Sequence, residues 1–166
     1  MKNLRNDSWK AFIELQKEGL CKSIGVSNFT IDNLKELEEK YDILPAINQV
    51  EFHPYHYQKE LLEYCNSKNI IIEAYSPLVH AKRMDEPRLV SISEELGKTP
   101  AQVLIRWAMQ RGMVVLPKSV NRDRIIENFA VFDFEISDSL MKRLDGLDER
   151  YVTCWDPHNP PPYAPV

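Results

Sequence analysis

Long apolar runs are absent from this sequence of 166 residues. None of its hydrophobic stretches approaches the roughly 20 residues that a membrane-spanning helix requires. An excess of basic charge is also absent, because 21 Lys and Arg residues face 25 Asp and Glu residues for a net charge of −4. That balance argues against nucleic acid as the main partner. We therefore expect this protein to bind neither nucleic acid nor a membrane.

Cysteine is scarce as well. Cys21, Cys65 and Cys154 are odd in number and far apart, which is typical of reduced thiols and predicts a cytoplasmic protein. Candidate metal ligands are equally few, since His53 and His56 lack a third ligand at a suitable spacing. We expect no metal site.

What remains is the composition of an ordinary globular protein, 43% hydrophobic and 28% charged. The length suits one domain or a piece of one. Composition shifts only at the end, where residues 156–166 hold five of the 11 prolines. We expect one α/β domain over residues 1–150 and a proline-rich tail over residues 151–166.

Helical and extended patterns alternate along residues 1–150. A first helix, which Ser8 is expected to cap, precedes four units of strand and helix. Thr30 and Ser137 are expected to cap two later helices, and Thr99 with Gln102 is expected to form a capping box. Strands separated by helices pair in parallel through right-handed crossovers. Four such units permit a doubly wound sheet or half of an eight-stranded barrel. The predicted strands run from Lys22 to Ser27, Ala46 to Glu51, Ile70 to Tyr75 and Met113 to Leu116.

Polar residues at the strand ends favour the barrel. Each of the four units places polar side chains at or near the carboxyl end of its strand, as the active face of a barrel requires. A doubly wound sheet gathers such groups at one switch point, and no G-x-G-x-x-G opens a helix here. We therefore predict a parallel (β/α) barrel of the TIM type, here four β/α units that correspond to its last half. The polar residues are Ser27, Asn28, Asn48, Gln49, Tyr75, Ser76, Lys118 and Ser119.

The fourth unit carries a candidate anion site. Met113 to Leu116 is a short apolar run, expected to be buried on both faces, and Pro117 ends it. Basic and hydroxyl side chains follow at once, and then a helix begins. Helix amides, a hydroxyl and cations can converge on one anion there, although a solvated basic loop explains the same residues.

Four motifs together resemble those of the aldo-keto reductases. The resemblance extends from Trp9 to about Arg150 and implies an eight-stranded α/β barrel that reduces carbonyls with NADPH. The motifs are Gly25-Val26-Ser27-Asn28-Phe29, Asn48-Gln49-Val50-Glu51 with His53-Pro54, Ala74-Tyr75-Ser76-Pro77-Leu78, and Pro117-Lys118-Ser119 with Arg124, Glu127 and Asn128.

The resemblance implies a role for each matched residue at the nicotinamide end of the cofactor. Ser27, Asn28 and Gln49 are expected to hydrogen-bond the nicotinamide carboxamide, and Tyr75 to stack on the ring. It also implies that the tail residues Cys154 and Trp155 build the substrate pocket.

Further matched residues imply contacts with the rest of NADPH. Ser76 and Leu78 are expected along the pyrophosphate, although Val79-His80 replaces the glycine usual after Pro-Leu. The remaining contacts are expected at the adenosine half. The residues there are Lys118, Ser119 and Arg124 for the 2′-phosphate, with Glu127 and Asn128 for the adenine.

The departure from the family is large. The family's catalytic Asp, Tyr, Lys and His belong to its first four strands, which have no counterpart in this sequence. We expect the cofactor-binding C-terminal half of an NADPH-dependent carbonyl oxidoreductase, which acts on a small carbonyl substrate only if the barrel is completed. The alternative is an inactive, truncated paralogue that binds NADPH or self-associates.

Half a barrel leaves two unpaired sheet edges and an uncovered concave face. We therefore predict a homo-oligomer, or pairing with another half-barrel. The concave face is expected to contain Ile24, Val26, Ile47, Val50, Ile71, Val114 and Leu116.

Overall fold

Four short parallel strands form one sheet in the order β1-β2-β3-β4. The structure is a computed structural model that describes residues 2–157, apart from the side chains of residues 2 and 3. Residues 158–166 of the predicted tail lie outside the described residues. The strands are β1 (Gly25–Ser27), β2 (Ile47–Glu51), β3 (Ile71–Tyr75) and β4 (Val114–Val115).

The strand order agrees with the barrel interpretation. A doubly wound sheet contains a point at which the strand order reverses, whereas here each strand pairs with the next along the chain. The predicted parallel α/β sheet is thus confirmed, and its sequential order is that of part of a barrel. In the register, Ser27 lies beside Gln49, Gln49 beside Glu73 and Glu51 beside Tyr75.

Seven α-helices are present in the described residues. The helix caps predicted at Thr30, Thr99 and Ser137 are all formed, with the expected capping box at Thr99 and another at Thr30. The prediction that Ser8 starts the first helix is wrong, because that helix begins at Lys2. The helices are α1 (Lys2–Lys17), α2 (Ile31–Lys40), α3 (Lys59–Ser67), α4 (Pro87–Leu96), α5 (Pro100–Gln110), α6 (Arg122–Phe129) and α7 (Asp138–Asp145).

The main core lies between one face of the sheet and the helices. Val50 and Ile72 of the sheet belong to the same buried cluster as Leu34 of α2 and Leu104 and Trp107 of α5. A smaller cluster joins α1 to α2 and to the residue before β1, and its members are Trp9, Ile13, Ile24 and Leu37. No helix within residues 2–157 is both long and apolar enough to cross a membrane.

The opposite face of the sheet, which we call the open face, has no layer packed on it in the described chain. Ile71 is 46% exposed, Val114 43% and Leu116 40%. Gln49 and Glu73 lie between these apolar side chains, because alternate residues of a strand share a face. The open face is therefore apolar with a polar centre.

Two expectations about this face are wrong. Ile24, Val26 and Val50 were predicted on it, but they pack into the buried clusters on the helical side. The β4 run was predicted to be buried on both faces, yet Val114 is exposed while Val115 packs against the main core. A short apolar run is compatible with a strand covered on one face or on both faces, so the sequence pattern alone did not distinguish these two possibilities.

Candidate functional site

The carboxyl ends of the four strands meet at one edge of the sheet, which we call the rim. Residues at the ends of β1, β2 and β3 are linked by hydrogen bonds there. Ser27 Oγ donates to the main-chain carbonyl of Gln49 at 3.0 Å, and the Asn28 N–H donates to the same oxygen at 2.9 Å. The structure thus places Ser27, Asn28 and Gln49 together, as the sequence predicts.

Asn28 adopts a left-handed backbone conformation, with φ of 57°. Asparagine tolerates this region better than most residues, which suits the sharp turn out of β1. The turn presents the Asn28 amide to β3, where the Tyr75 hydroxyl donates to Asn28 Oδ1 at 3.0 Å. Burial, and next the nearby carboxylate of Glu51, raises the pKa of the Tyr75 phenol to about 12. Tyr75 is therefore held as a neutral, half-buried ring at the rim.

Asn48 was predicted among the polar residues at the strand ends, but its side chain does not lie at the rim. Its side chain is fully buried on the helical side, where Nδ2 donates to the Phe29 carbonyl at 2.9 Å. Oδ1 accepts from the Phe29 N–H at 3.3 Å. These two bonds hold the turn that follows Ser27 and Asn28.

Glu73 is a rim-side residue that the motifs did not reveal. Its carboxylate accepts a hydrogen bond from the Gln49 side-chain amide. A groove of about 600 Å³ is lined by Ser27, Gln49 and Glu73, together with Trp9 and Phe12 of α1. The strand period of two was the available signal, since Glu73 lies two residues before Tyr75 on the same face.

Ser76 and Leu78 follow β3 in a tight turn. Ser76 has φ of 49°, and three consecutive residues, Val79, His80 and Ala81, have φ of 54°, 50° and 61°. This conformation is costly for a β-branched residue. The fully buried Val79 side chain and the Val79 N–H bond to the Ser76 carbonyl at 2.9 Å offset that cost. The turn places the exposed His80 beside Ser76.

The basic segment after β4 lies at the far end of the rim. Lys118 and Arg124 are exposed, and neither has a carboxylate within ion-pair distance in the described part of the chain. Ser119 Oγ accepts the Asn121 N–H at 3.1 Å and lies 3.3 Å from the Asn121 carbonyl. Two cations without a carboxylate partner and a hydroxyl in one short segment are groups that can bind a phosphate.

The helix amides contribute less to this site than the sequence predicts. Asn121 caps α6, and its Oδ1 accepts the N–H groups of Asp123 at 2.9 Å and Arg124 at 3.1 Å. The amides that were expected to face an anion are therefore already bonded. Cations and the Ser119 hydroxyl remain as the anion ligands.

Glu127 and Asn128 lie on the same side of α6 as Arg124, three and four residues further along. Glu127 is half-buried and Asn128 buried. Gln102 of α5 donates to the Glu127 carbonyl at 3.4 Å, so this turn of α6 is fixed to the helical layer. Their contact with adenine remains a prediction.

The tail reaches the rim through Glu51. The buried carboxylate of Glu51 accepts the Thr153 N–H at 2.8 Å, the Thr153 hydroxyl, and the Cys154 N–H at 3.0 Å. Burial by itself raises the pKa of Glu51, but these bonds and one from His53 outweigh it and lower that pKa to about 2. This arrangement, which we call the tail latch, fixes Cys154 at the rim. The indole nitrogen of Trp155 is buried without a hydrogen-bond partner among the described residues.

The segment that follows β2, which contains His53, Tyr55 and Tyr57, belongs to the buried core and not to the rim. His53 and Tyr55 are fully buried, and Tyr57 packs edge-on against Trp107 at a centroid distance of 5.3 Å. Within residues 2–157, no three His, Cys, Asp or Glu side chains are grouped as metal ligands. A depression of about 990 Å³ between this segment, α2 and the tail contains none of the predicted cofactor residues.

Comparison with known proteins places these motifs in a family. The profile of the Aldo/keto reductase family matches residues 4–149. The glyoxal reductase of Bacillus subtilis is 46% identical over 151 residues, which cover 90% of this chain and 55% of that protein. The chain spans about half the length of the curated relatives it matches.

Solved structures give the same result. MGS-M4, an aldo-keto reductase from a Medee basin deep-sea metagenome library, superposes with a TM-score of 0.91 at 34% identity, over 96% of this chain and 60% of that one. An aldo-keto reductase complexed with NADPH superposes with a TM-score of 0.82 at 35% identity, over 88% of this chain and 48% of that one.

Proposed function

The chain belongs to the aldo/keto reductase family, and from that premise we propose that it is the cofactor-binding, C-terminal half of an NADPH-dependent carbonyl oxidoreductase. Its substrates are aldehydes or ketones, which the complete barrel reduces to alcohols. The observation that carries the proposal is the rim, where Ser27 and Asn28 both hydrogen-bond the main-chain carbonyl of Gln49 and Tyr75 hydrogen-bonds the side chain of Asn28.

The residues present fit the proposed cofactor. Amide and hydroxyl groups at Ser27, Asn28 and Gln49 are the donors and acceptors that a carboxamide needs, and they fix which face of the nicotinamide ring meets the substrate. The neutral ring of Tyr75 offers a stacking surface. When bound, NADPH supplies the hydride that reduces the carbonyl carbon.

The cations after β4 select the phosphorylated cofactor. Lys118 and Arg124 are exposed and have no carboxylate partner in the described residues, and Ser119 lies between them in the sequence. The 2′-phosphate is the group that distinguishes NADPH from NADH, and charge-assisted bonds to it favour NADPH. The NADPH complex of a relative supports the same choice.

Proton donation is the step for which the described tyrosines at the ends of β2 and β3 offer no suitable group. Reduction of a carbonyl needs an acid that protonates the alkoxide oxygen. Among the described residues, Tyr55 is buried, Tyr57 packs on Trp107, and the Tyr75 hydroxyl is bonded to Asn28. The purified chain is therefore expected to bind NADPH but not to consume it when an aromatic aldehyde is added.

Titration with both cofactors, followed by tryptophan fluorescence, tests the proposal. NADPH should bind more tightly than NADH, and Arg124→Ala should weaken NADPH by about 1.5–3 kcal/mol while leaving NADH unchanged. Arg122→Ala is the matched control, since Arg122 is exposed in the same turn but has no counterpart in the family motif. Equal affinities for the two cofactors, or equal losses in the two variants, would overturn the assignment.

The open face supports a second proposal, that the chain self-associates as half of an eight-stranded barrel. Ile71, Val114 and Leu116 are 40–46% exposed, and β1 and β4 each have an unpaired edge in the described sheet. A second copy related by a two-fold axis covers the apolar face and pairs both edges.

All three cysteines are free thiols, so we place the protein in the reducing cytoplasm.

A further inference from the structure

Three reactive side chains meet at the rim beyond β3. Cys154 Sγ lies 3.2 Å from His80 Nε2 and 3.3 Å from Ser76 Oγ. The third side of this triangle, from Ser76 Oγ to His80 Nε2, is 3.2 Å. These residues come from two segments more than 70 positions apart, since His80 and Cys154 are separated by 74 residues.

The backbone holds this cluster in place from both sides. The N–H of Cys154 is bonded to the buried carboxylate of Glu51 at 3.0 Å, so the tail latch sets the position of the thiol. His80 lies in the left-handed turn that the buried Val79 anchors. The contact between Cys154 and His80 therefore joins two fixed segments and leaves the thiol exposed to solvent.

This geometry suits a thiol nucleophile. The thiolate is the reactive form of cysteine, and a base within hydrogen-bond reach generates it by accepting the proton. In the described chain, Cys154 alone of the three cysteines has an imidazole nitrogen at that distance. Cys65 is its opposite, because burial raises the pKa of the Cys65 thiol to about 11 even with a hydrogen bond from Asn48.

We propose that Cys154, with His80 as its base, is a covalent modification site for α,β-unsaturated carbonyl compounds. The Sγ–H proton passes to His80 Nε2, and Sγ forms a bond to the β-carbon. The π electrons of the carbon–carbon double bond move into an enolate, and the imidazolium returns the proton to the α-carbon. Addition of S–H across the double bond is balanced and needs no oxidant or reductant.

The adduct would also exclude the cofactor, a consequence that rests on the proposed function. Ser76 is the residue predicted to lie along the pyrophosphate, and its hydroxyl is 3.3 Å from Cys154 Sγ. A substituent on that sulfur occupies the space beside Ser76. Modification of Cys154 and binding of NADPH should therefore be mutually exclusive.

N-Ethylmaleimide, a soft unsaturated carbonyl compound, tests the site when it reacts with the full chain and peptide mass spectrometry follows each cysteine. Cys154 should react at least about tenfold faster than Cys21, and His80→Gln should remove that advantage. The Cys21 rate in each variant reports whether the fold is intact. Lys82→Gln, an exposed change beside the same turn, is the control and should leave the Cys154 rate unchanged.

The outcomes separate the two proposals. Equal rates at Cys154 and Cys21, or a His80→Gln rate equal to wild type, would overturn the thiol site. NADPH should slow the reaction at Cys154 and leave Cys21 unaffected. If NADPH binds by fluorescence but gives no protection, the overlap with the cofactor site is wrong. If NADPH does not bind while Cys154 still reacts fastest, the proposed function fails and the thiol site is supported.

Discussion

Two neighbouring isoleucines of β3 have opposite environments. Ile72 points to the helices and is 1% exposed, whereas Ile71 points to the open face and is 46% exposed. The same contrast holds across the sheet, where Val50 and Ala74 are buried beneath the helices while Val114 is half uncovered. One face of the sheet is a finished protein core, and the other has no layer on it in residues 2–157.

This difference separates stability from function. The helical face supplies the buried apolar contacts that hold the described chain together, and hydrophobic burial is the main favourable term in folding. The rim and the open face supply the groups that can bind a cofactor. The sheet and its helical layer therefore provide enough core to position the rim residues, and we propose that a partner covers the open face.

The largest expected effect is a loss of stability when Ile72 is shortened, and the same change at Ile71 is its comparison. Ile72→Ala should lower the free energy of unfolding by about 2–5 kcal/mol, because it leaves a cavity in the helical core. Ile71→Ala removes the same atoms from an uncovered face and should cost less than about 1 kcal/mol. Urea unfolding of dilute protein measures both. Equal losses would show that the open face is covered within the monomer.

The tail latch should give a smaller, pH-dependent effect. The folded-state pKa of Glu51 is lowered to about 2, below its ordinary value of 4.5, so its contribution is fully present above pH 4.5 and is lost as the pH falls toward 2. We expect a loss of about 2–3 kcal/mol across that window. Urea unfolding at several pH values should show a slope that Glu51→Gln flattens.

The control for the latch is Glu63→Gln. Glu63 lies on the surface of α3, where it forms an exposed ion pair with Lys59 at 3.7 Å. This change should leave the acid slope as it is in the wild type. If both variants flatten the slope equally, the latch does not account for it.

The smallest effect is expected at the flank of the sheet, where α6 exposes Ile126 and Phe129. Asn121→Ala removes the cap and should cost about 1 kcal/mol, mostly as local fraying of α6. Asn121→Asp keeps an oxygen in the capping position and should retain most of that stability. Hydrogen exchange of the α6 amides measures the fraying, and a loss spread over the main core would contradict this view of a weakly held flank.

Local signals in the sequence predicted local structure well. Thr30, Thr99 and Ser137 cap helices as expected, because a cap depends on residues within one turn. The predicted start of α1 was wrong because Ser8, a residue type that often caps helices, lies inside this helix. The residues before Ser8 are helical and contact α2. There, Asn6 donates to Glu36 of α2 at 2.7 Å.

Contacts between distant segments were beyond the sequence patterns. Nothing local indicates that Thr153 bonds Glu51 across 102 residues, or that His80 meets Cys154. The run from Ile70 to Ile72 likewise gives no sign of which isoleucine is covered, because burial depends on the layers that pack on the sheet. The rim residues were found through family motifs, and their positions at the ends of parallel strands agree with the structure.

Sedimentation equilibrium over a range of protein concentrations tests most directly the central claim that the open face needs a partner. We predict an average mass above the 19.4 kDa of one chain that rises with concentration. Leu116→Asp, on the open face, should return the chain to a monomer, whereas Leu20→Asp, at an exposed turn after α1, should not. A single 19.4 kDa species at every concentration, with unfolding independent of concentration, would contradict the claim.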